Sequence, residues 1–177
     1  MVNLQFFRPH TLFGRAISLF EGSPVCHVAI GHTVYGVPML TQADGIAGVQ
    51  MVAARTVEQP IHTIEIPWVT DEFAVSDLSN YLGDTYGYLT ILSYLCKPLN
   101  RIARHEGQIC SELAVNFLHR AAAQYGYPDA PTMSPAWQVC LDDVFVLHGG
   151  NASLVDPAEL YTTMQVGLLG PAALKAE

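Results

Sequence analysis

Cys110 opens a stretch, residues 110–125, in which Leu113, Ala114, Phe117, Leu118 and Ala121 fall three or four positions apart. That spacing lines one face of a helix. The partial positive charge at a helix N-terminus favours a thiolate, and the thiolate is the form of cysteine that attacks carbonyls. A buried structural thiol is the other reading, because unpaired cysteine is among the most buried residue types. The second residue with chemistry to offer is His27, in the apolar run VCHVAI at 25–30, entered through Gly22-Ser23-Pro24. It is either a satisfied core histidine or the base that takes a proton from a cysteine. Residues two apart on a strand share a face, so the sequence places His27 with Val25 and Ala29. Cys26 then points the other way and reads as core, while the small Ala29 leaves room for a substrate.

The remaining candidates carry less. His10, His32, His62, His105, His119 and His148 show no ligand spacing, and the cysteines (Cys26, Cys96, Cys110, Cys140) form no CxxC pair. Neither a metal site nor a disulfide framework is expected, and no cofactor; the cysteines read as thiols in a reducing compartment. Glu112 suits a helix start, Asp142-Asp143 a solvated helix end, and Trp68 and Trp137 are expected as core anchors.

Elements must bring Cys110 and His27 together. The apolar spacing at 12–20 predicts a short helix, ended by Gly22 to Pro24. Strands are predicted at 25–30, 39–43, 49–54 and 62–66, with 31–38 as the turn after the first. Alternation is clearest in the last, where Ile61, Thr63 and Glu65 oppose His62, Ile64 and Ile66. Thr70-Asp71-Glu72 resembles a helix cap, followed by an apolar face of Phe73, Leu78, Tyr81 and Leu82 up to Gly83. Helices are also predicted at 90–95, 110–125 and 135–141, then a strand at 144–147. The expectation is an α+β domain over residues 1–171, with a meandering antiparallel sheet first and helices after it, and a frayed tail at 172–177.

With 50% hydrophobic and 14% charged residues, the 177-residue chain can build a substantial core. A net charge of −8 argues against a nucleic-acid partner and against electrostatic docking on an anionic membrane. The apolar run near 86–95 is too short and too interrupted for a membrane span. The first residues, MVNLQFFRPH, have no secretory pattern, so synthesis in the cytoplasm without a signal peptide is expected.

Four segments in order resemble one family. Ser23-Pro24-Val25-Cys26-His27-Val28-Ala29-Ile30-Gly31 is similar to the "S-H-V-G-I" strand of the permuted NlpC-type, or YiiX-like, papain-fold hydrolases. Leu40-Thr41-Gln42-Ala43 with Gly48-Val49-Gln50 resembles that family's "V-L-E-A … G-V". Leu82-Gly83-Asp84-Thr85-Tyr86-Gly87-Tyr88 resembles its "L-G-x-x-Y-D-Y" turn, and Ile109-Cys110-Ser111-Glu112-Leu113-Ala114 its "Y-C-S-E-L-V". The likeness covers roughly residues 5–125. It implies a circularly permuted papain-like (NlpC-type) α+β fold, with an antiparallel sheet against helices and the nucleophile at a helix N-terminus. It implies Cys110 as nucleophile, His27 as general base, Gln42 as the residue that orients the imidazole, and Tyr86 and Tyr88 lining the substrate site.

Two positions depart from the family pattern: Gln42 stands where glutamate is usual, and Gly87 where aspartate is. The implied activity is a cysteine hydrolase of amidase or endopeptidase type working through a thioester, with cell-wall peptide the foremost substrate and lipid acyl groups second. A lecithin–retinol-type acyltransferase shares the His-then-Cys order, but its "N-C-E-H-F" box is absent. The departures also fit a non-catalytic component of a phage particle or secretion apparatus, virion-associated or exported without a signal.

Overall fold

Polar Asn3 and Gln5 alternate with apolar Val2, Leu4 and Phe6 at the start of the chain, and this alternation forms the first strand. The computed structural model describes residues 1–9, 15, 23–87 and 109–169. Among them lie five strands, β1 (Asn3–Phe7), β2 (His27–Val34), β3 (Val37–Asp44), β4 (Gly48–Ala53) and β5 (His62–Glu65). They form one antiparallel sheet in the order β4-β3-β2-β1-β5. Four helices follow: α1 (Asp71–Ser79), α2 (Cys110–Gln124), α3 (Pro135–Val146) and α4 (Pro157–Leu169). The chain is therefore α+β, sheet first and helices after.

One face of the sheet carries the main core. Leu4, Phe6, Val28, Ile30, Ala43 and Val49 pack there with Leu113, Phe117 and Leu118 of α2 and Leu78 of α1. Each fully buried leucine or phenylalanine contributes about 1.5–3 kcal/mol. A smaller cluster of Phe7, Ala29 and Leu40 occupies the other face, with Val52, Ala54 and Val57 against it.

Turn chemistry sets the register. Tyr35 and Gly36 both have positive φ (48° and 80°) and close the two-residue β2–β3 hairpin, the backbone hand that matches strand twist. At the next hairpin, Asp44 Oδ1 accepts the backbone N–H groups of Ile46 and Ala47 at 2.9 and 3.0 Å, an Asx turn. Gly48 follows with φ +72°, and a Cβ there would run into the carbonyl of Asp84. Val49 N–H donates to that carbonyl (2.8 Å) and Gly83 N–H to the Val49 carbonyl (2.9 Å), which lays the chain after α1 along β4.

Helix ends are defined by their caps. Thr70 accepts from Phe73 N at 3.2 Å to start α1, and Ser134 from Trp137 N at 3.4 Å to start α3, which has Pro135 in its first turn. Asp71 takes the Met1 ammonium (3.0 Å) and Thr33 N–H (2.8 Å), fastening α1 to the chain start and to β2. Arg120 on α2 makes a two-pronged contact with Asp77 on α1 at 2.7 and 2.8 Å. The Ser111 hydroxyl, fully buried, donates to the Val155 carbonyl ahead of α4.

Several sequence expectations need correction. Residues 31–38 are mostly strand, because the tight Tyr35-Gly36 turn lets β2 and β3 run almost to it. Residues 144–147 are the end of α3 and a 3-10 turn; Val144 is buried while Val146 is 69% exposed, so the apolar run is the edge of a helix face. Asp142 lies inside α3 and accepts from the Tyr127 hydroxyl. α1 stops at Ser79, which leaves Leu82 exposed beyond it. β1 and α4 are elements that the sequence patterns do not predict. The expected helices at 12–20 and 90–95, Cys96, Tyr88 and the tail at 172–177 lie outside the described residues.

Candidate active site

Cys110 is the first residue of α2, after the extended Ile109, and no side chain caps the helix start. The thiol is only 5% exposed and faces the His27 imidazole at hydrogen-bonding range, with the backbone N–H groups of Val28 and Ser111 also donating toward the sulfur. Burial alone would raise the thiol's pKa. The charge and hydrogen bond of His27, then the two backbone donors, outweigh it, and the pKa falls below that of an ordinary thiol.

The same interaction read from the ring has the matching sign. Burial would lower the His27 pKa, but the Cys110 charge and hydrogen bond, the Gln42 hydrogen bond and the charge of Asp44 together raise it. Both partners therefore shift toward the thiolate–imidazolium pair.

His27 is the first residue of β2, half-buried, with the Phe7 ring 5.9 Å from its own, centre to centre. Its Nε2 lies 3.0 Å from Gln42 Oε1. An amide oxygen only accepts, so that nitrogen carries the proton, and the neutral ring's lone pair is at Nδ1. Gln42, 8% exposed, thereby selects the tautomer in which Nδ1 is free to take a thiol proton. A neutral amide holds the ring by geometry without adding negative charge.

The register explains how these groups meet. β2 and β3 pair from Val34–Val37 to Ile30–Thr41. Carried further, the same register would set Ala29 opposite Gln42 and His27 opposite Asp44, but the ladder stops first. β2 continues beside β1 alone and β3 beside β4 alone, so the sheet opens into a fork. The Gln42 side chain spans that fork diagonally to His27, a reach open to long side chains. Cys110 approaches the same open end from α2.

The structure thus brings Cys110, His27 and Gln42 together. Tyr86 is half-buried against the main core. The face assignment around His27 holds for Ala29 but not for Val25, which precedes the strand and packs in the main core instead. Nor is Cys26 a core residue: it is half-buried, with its thiol 3.8 Å from the Phe7 carbonyl oxygen. Asp44, which the sequence marks only as a turn residue, reaches His27 through its charge; the signal for it was its place two residues after Gln42 on one strand face. Cys140 is a contrast in kind. Fully buried, it has its pKa pushed up to about 12 by burial and by the charge of Asp143.

No family model, no curated protein and no solved structure matches this chain. Among the described residues, no group of three or more His, Cys, Asp or Glu side chains could hold a metal ion, and no helix is long and apolar enough to cross a membrane.

Proposed function

We propose that the chain is a cysteine hydrolase of the permuted papain-like, NlpC-type class, acting on an amide or ester bond. The observation that carries this reading is the thiol of Cys110, at an uncapped helix start, facing an imidazole whose other nitrogen is fixed by Gln42. The Cys110 thiolate attacks the carbonyl carbon, and backbone N–H groups at the start of α2, that of Cys110 included, stabilise the oxyanion. The His27 imidazolium gives its proton to the departing amine or alcohol, leaving an acyl thioester on the sulfur. His27 then takes a proton from water, the resulting hydroxide displaces the thiolate, and the carboxylic product leaves with the ion pair restored.

Cell-wall peptides are the first substrate class under this reading and lipid acyl groups the second, both by resemblance of the ordered segments. Tyr86 and Tyr88 are its substrate-side residues. One departure favours a second reading: with Gln42 neutral, the fold could serve as a non-catalytic part of a phage particle or secretion apparatus.

Intact-mass spectrometry after exposure to muropeptides and to activated acyl esters separates them. The hydrolase reading expects a transient acyl adduct on Cys110, lost in Cys110→Ala, and turnover of one substrate class. No adduct, no turnover and no preferential alkylation of Cys110 would establish the scaffold.

A further inference from the structure

A helix start commonly gains its order from a capping side chain, and α2 has none, because the apolar Ile109 stands at that position. Within the helix, the bond from Leu113 N–H to the Ile109 carbonyl (3.0 Å) closes the first turn. We propose that Ser111 replaces the missing cap, as a positioning residue whose hydroxyl, bonded to the Val155 carbonyl, holds the first turn of α2 with the Cys110 sulfur against His27. The purpose assigned to this contact rests on the hydrolase reading; the contact itself does not.

Three observations carry it. First, the Ser111 hydroxyl is fully buried and donates across the fold to Val155, which is itself buried. Water does not compete for such a bond, and removing the donor leaves a buried carbonyl without it. Second, the far end of the tether is held in place. Val155 N–H donates to the Ala152 carbonyl (3.2 Å). The next residue, Asp156, caps α4: its Oδ1 accepts from Glu159 N–H at 2.7 Å and its carbonyl from Leu160 N–H at 3.0 Å. The acceptor therefore sits between a closed turn and a capped helix. Third, the near end adjoins the sulfur. Ser111 follows Cys110 directly, and its backbone N–H donates toward the thiol.

The side chain and the amide of one residue thus have separate partners, Val155 and Cys110. Anchoring the first fixes where the second points. The hydroxyl is taken up by the Val155 carbonyl, so Ser111 acts through Cys110 and does not itself touch the reacting atoms. Such placement matters because a shift of about 1 Å at a reacting group can cost on the order of 10²-fold in rate.

The test follows iodoacetamide alkylation of Cys110 against pH in the full chain, by mass spectrometry, together with kcat and KM on the acyl ester or muropeptide that wild type turns over. Ser111→Ala should raise the midpoint pH of alkylation by about 0.5–1 unit. It should lower kcat by about tenfold or more and change KM little. Ser111→Thr, which keeps the hydroxyl, should stay near wild type on both readouts. Thr41→Val, which removes another buried hydroxyl from its partner His32, should move neither. Where Ser111→Ala does not fold, Asp156→Ala takes its place: loss of the cap beside the acceptor should raise the midpoint in the same direction by less. An unchanged midpoint in the variant that folds, or an equal rise in Thr41→Val, overturns the proposal and leaves Ser111 a packing contact. Failure of the hydrolase reading looks different: wild-type Cys110 would react no faster than Cys140 and turn over nothing, whichever residue stands at position 111.

Discussion

β2 carries two histidines with opposite fates. At one end, His27 is held by Gln42 and its pKa is raised. At the other, His32 is 3% exposed, its Nε2 lies 2.9 Å from Thr41 Oγ1, and its pKa is lowered. The partners are laid out alike: each histidine meets a β3 residue on the diagonal, His27 reaching one way along the ladder and His32 the other. For His32, burial is the leading cause; the nearby Asp71 carboxylate opposes it but is itself neutralised by the Met1 ammonium. For His27, burial is also the leading cause, yet an acidic thiol and two β3 residues reverse it. Burial makes an imidazole neutral, and it takes an anion held close to make it a cation. The difference lies in what faces the ring where the ladder opens.

The comparison is broken most severely at the sulfur. Under the hydrolase reading, Cys110→Ala should abolish turnover, a loss of at least about 10³-fold, and mass spectrometry should detect no acyl adduct on the variant. The wild-type thiolate should form below the ~8.5 of a free thiol. Iodoacetamide near neutral pH should therefore label Cys110 well ahead of Cys140, whose pKa is raised to about 12. Equal labelling of the two would place Cys110 with the inert thiols.

Exchange of the histidines comes next. His27→Ala should slow alkylation of Cys110 by about tenfold or more, because thiolate formation loses its main support. His32→Ala should leave that rate alone and lower stability by roughly 1–3 kcal/mol in denaturant unfolding, through an unfilled site and an unpaired Thr41 hydroxyl. Swapped outcomes would mean that the two rings have been assigned to the wrong roles.

At the β3 partners the effects should be smaller. Gln42→Ala should reduce kcat by about tenfold or more while moving the unfolding midpoint little. Thr41→Val should do the reverse. If Gln42→Ala costs stability and spares kcat, Gln42 is a packing residue and the site is a Cys–His dyad.

The smallest effect is in the pH dependence of stability. His32 has a lowered folded-state pKa, so the unfolded chain binds more protons, and stability should fall as pH drops below about 6.5, by at most ~1.4 kcal/mol per unit. Asp71, also lowered, is lost only in the carboxylate range, below this window. His119 shifts in the same direction as His32, through burial and Arg120, so wild type must be compared with His32→Gln. The variant's melting temperature should vary less between pH 7 and 5.5. An unchanged slope would show that His32 does not titrate with unfolding.

Much of the site was legible in the sequence, for reasons that differ by residue. Cys110 stood out because α2 has an apolar repeat with the period of a helix, and the repeat begins at the cysteine. His27 and Gln42 were legible through the order of short segments rather than through local chemistry, since neither residue type is diagnostic on a strand. Asp44 was legible only as a same-face neighbour of Gln42. Its relation to His27 depends on the β2–β3 register, and a chain read linearly shows a turn-forming aspartate beside a glycine. In the fold, β1 escaped because its short alternation ends at Arg8-Pro9, and α4 because Leu160, Tyr161 and Met164 lie in a stretch whose other residues are mixed. The run 144–147 misled because apolar side chains at a helix end look the same in sequence whether buried or exposed.

The buried hydroxyl of Ser111, bonded to the carbonyl of Val155, bears on the order in which the protein folds during synthesis. The helix that presents the thiol is translated well before the residue that tethers its first turn. Until Val155 has left the ribosome, that turn lacks its anchor, and the α3–α4 layer is incomplete. In a nascent chain the turn that carries Cys110 would thus gain this tether only as the last helices dock.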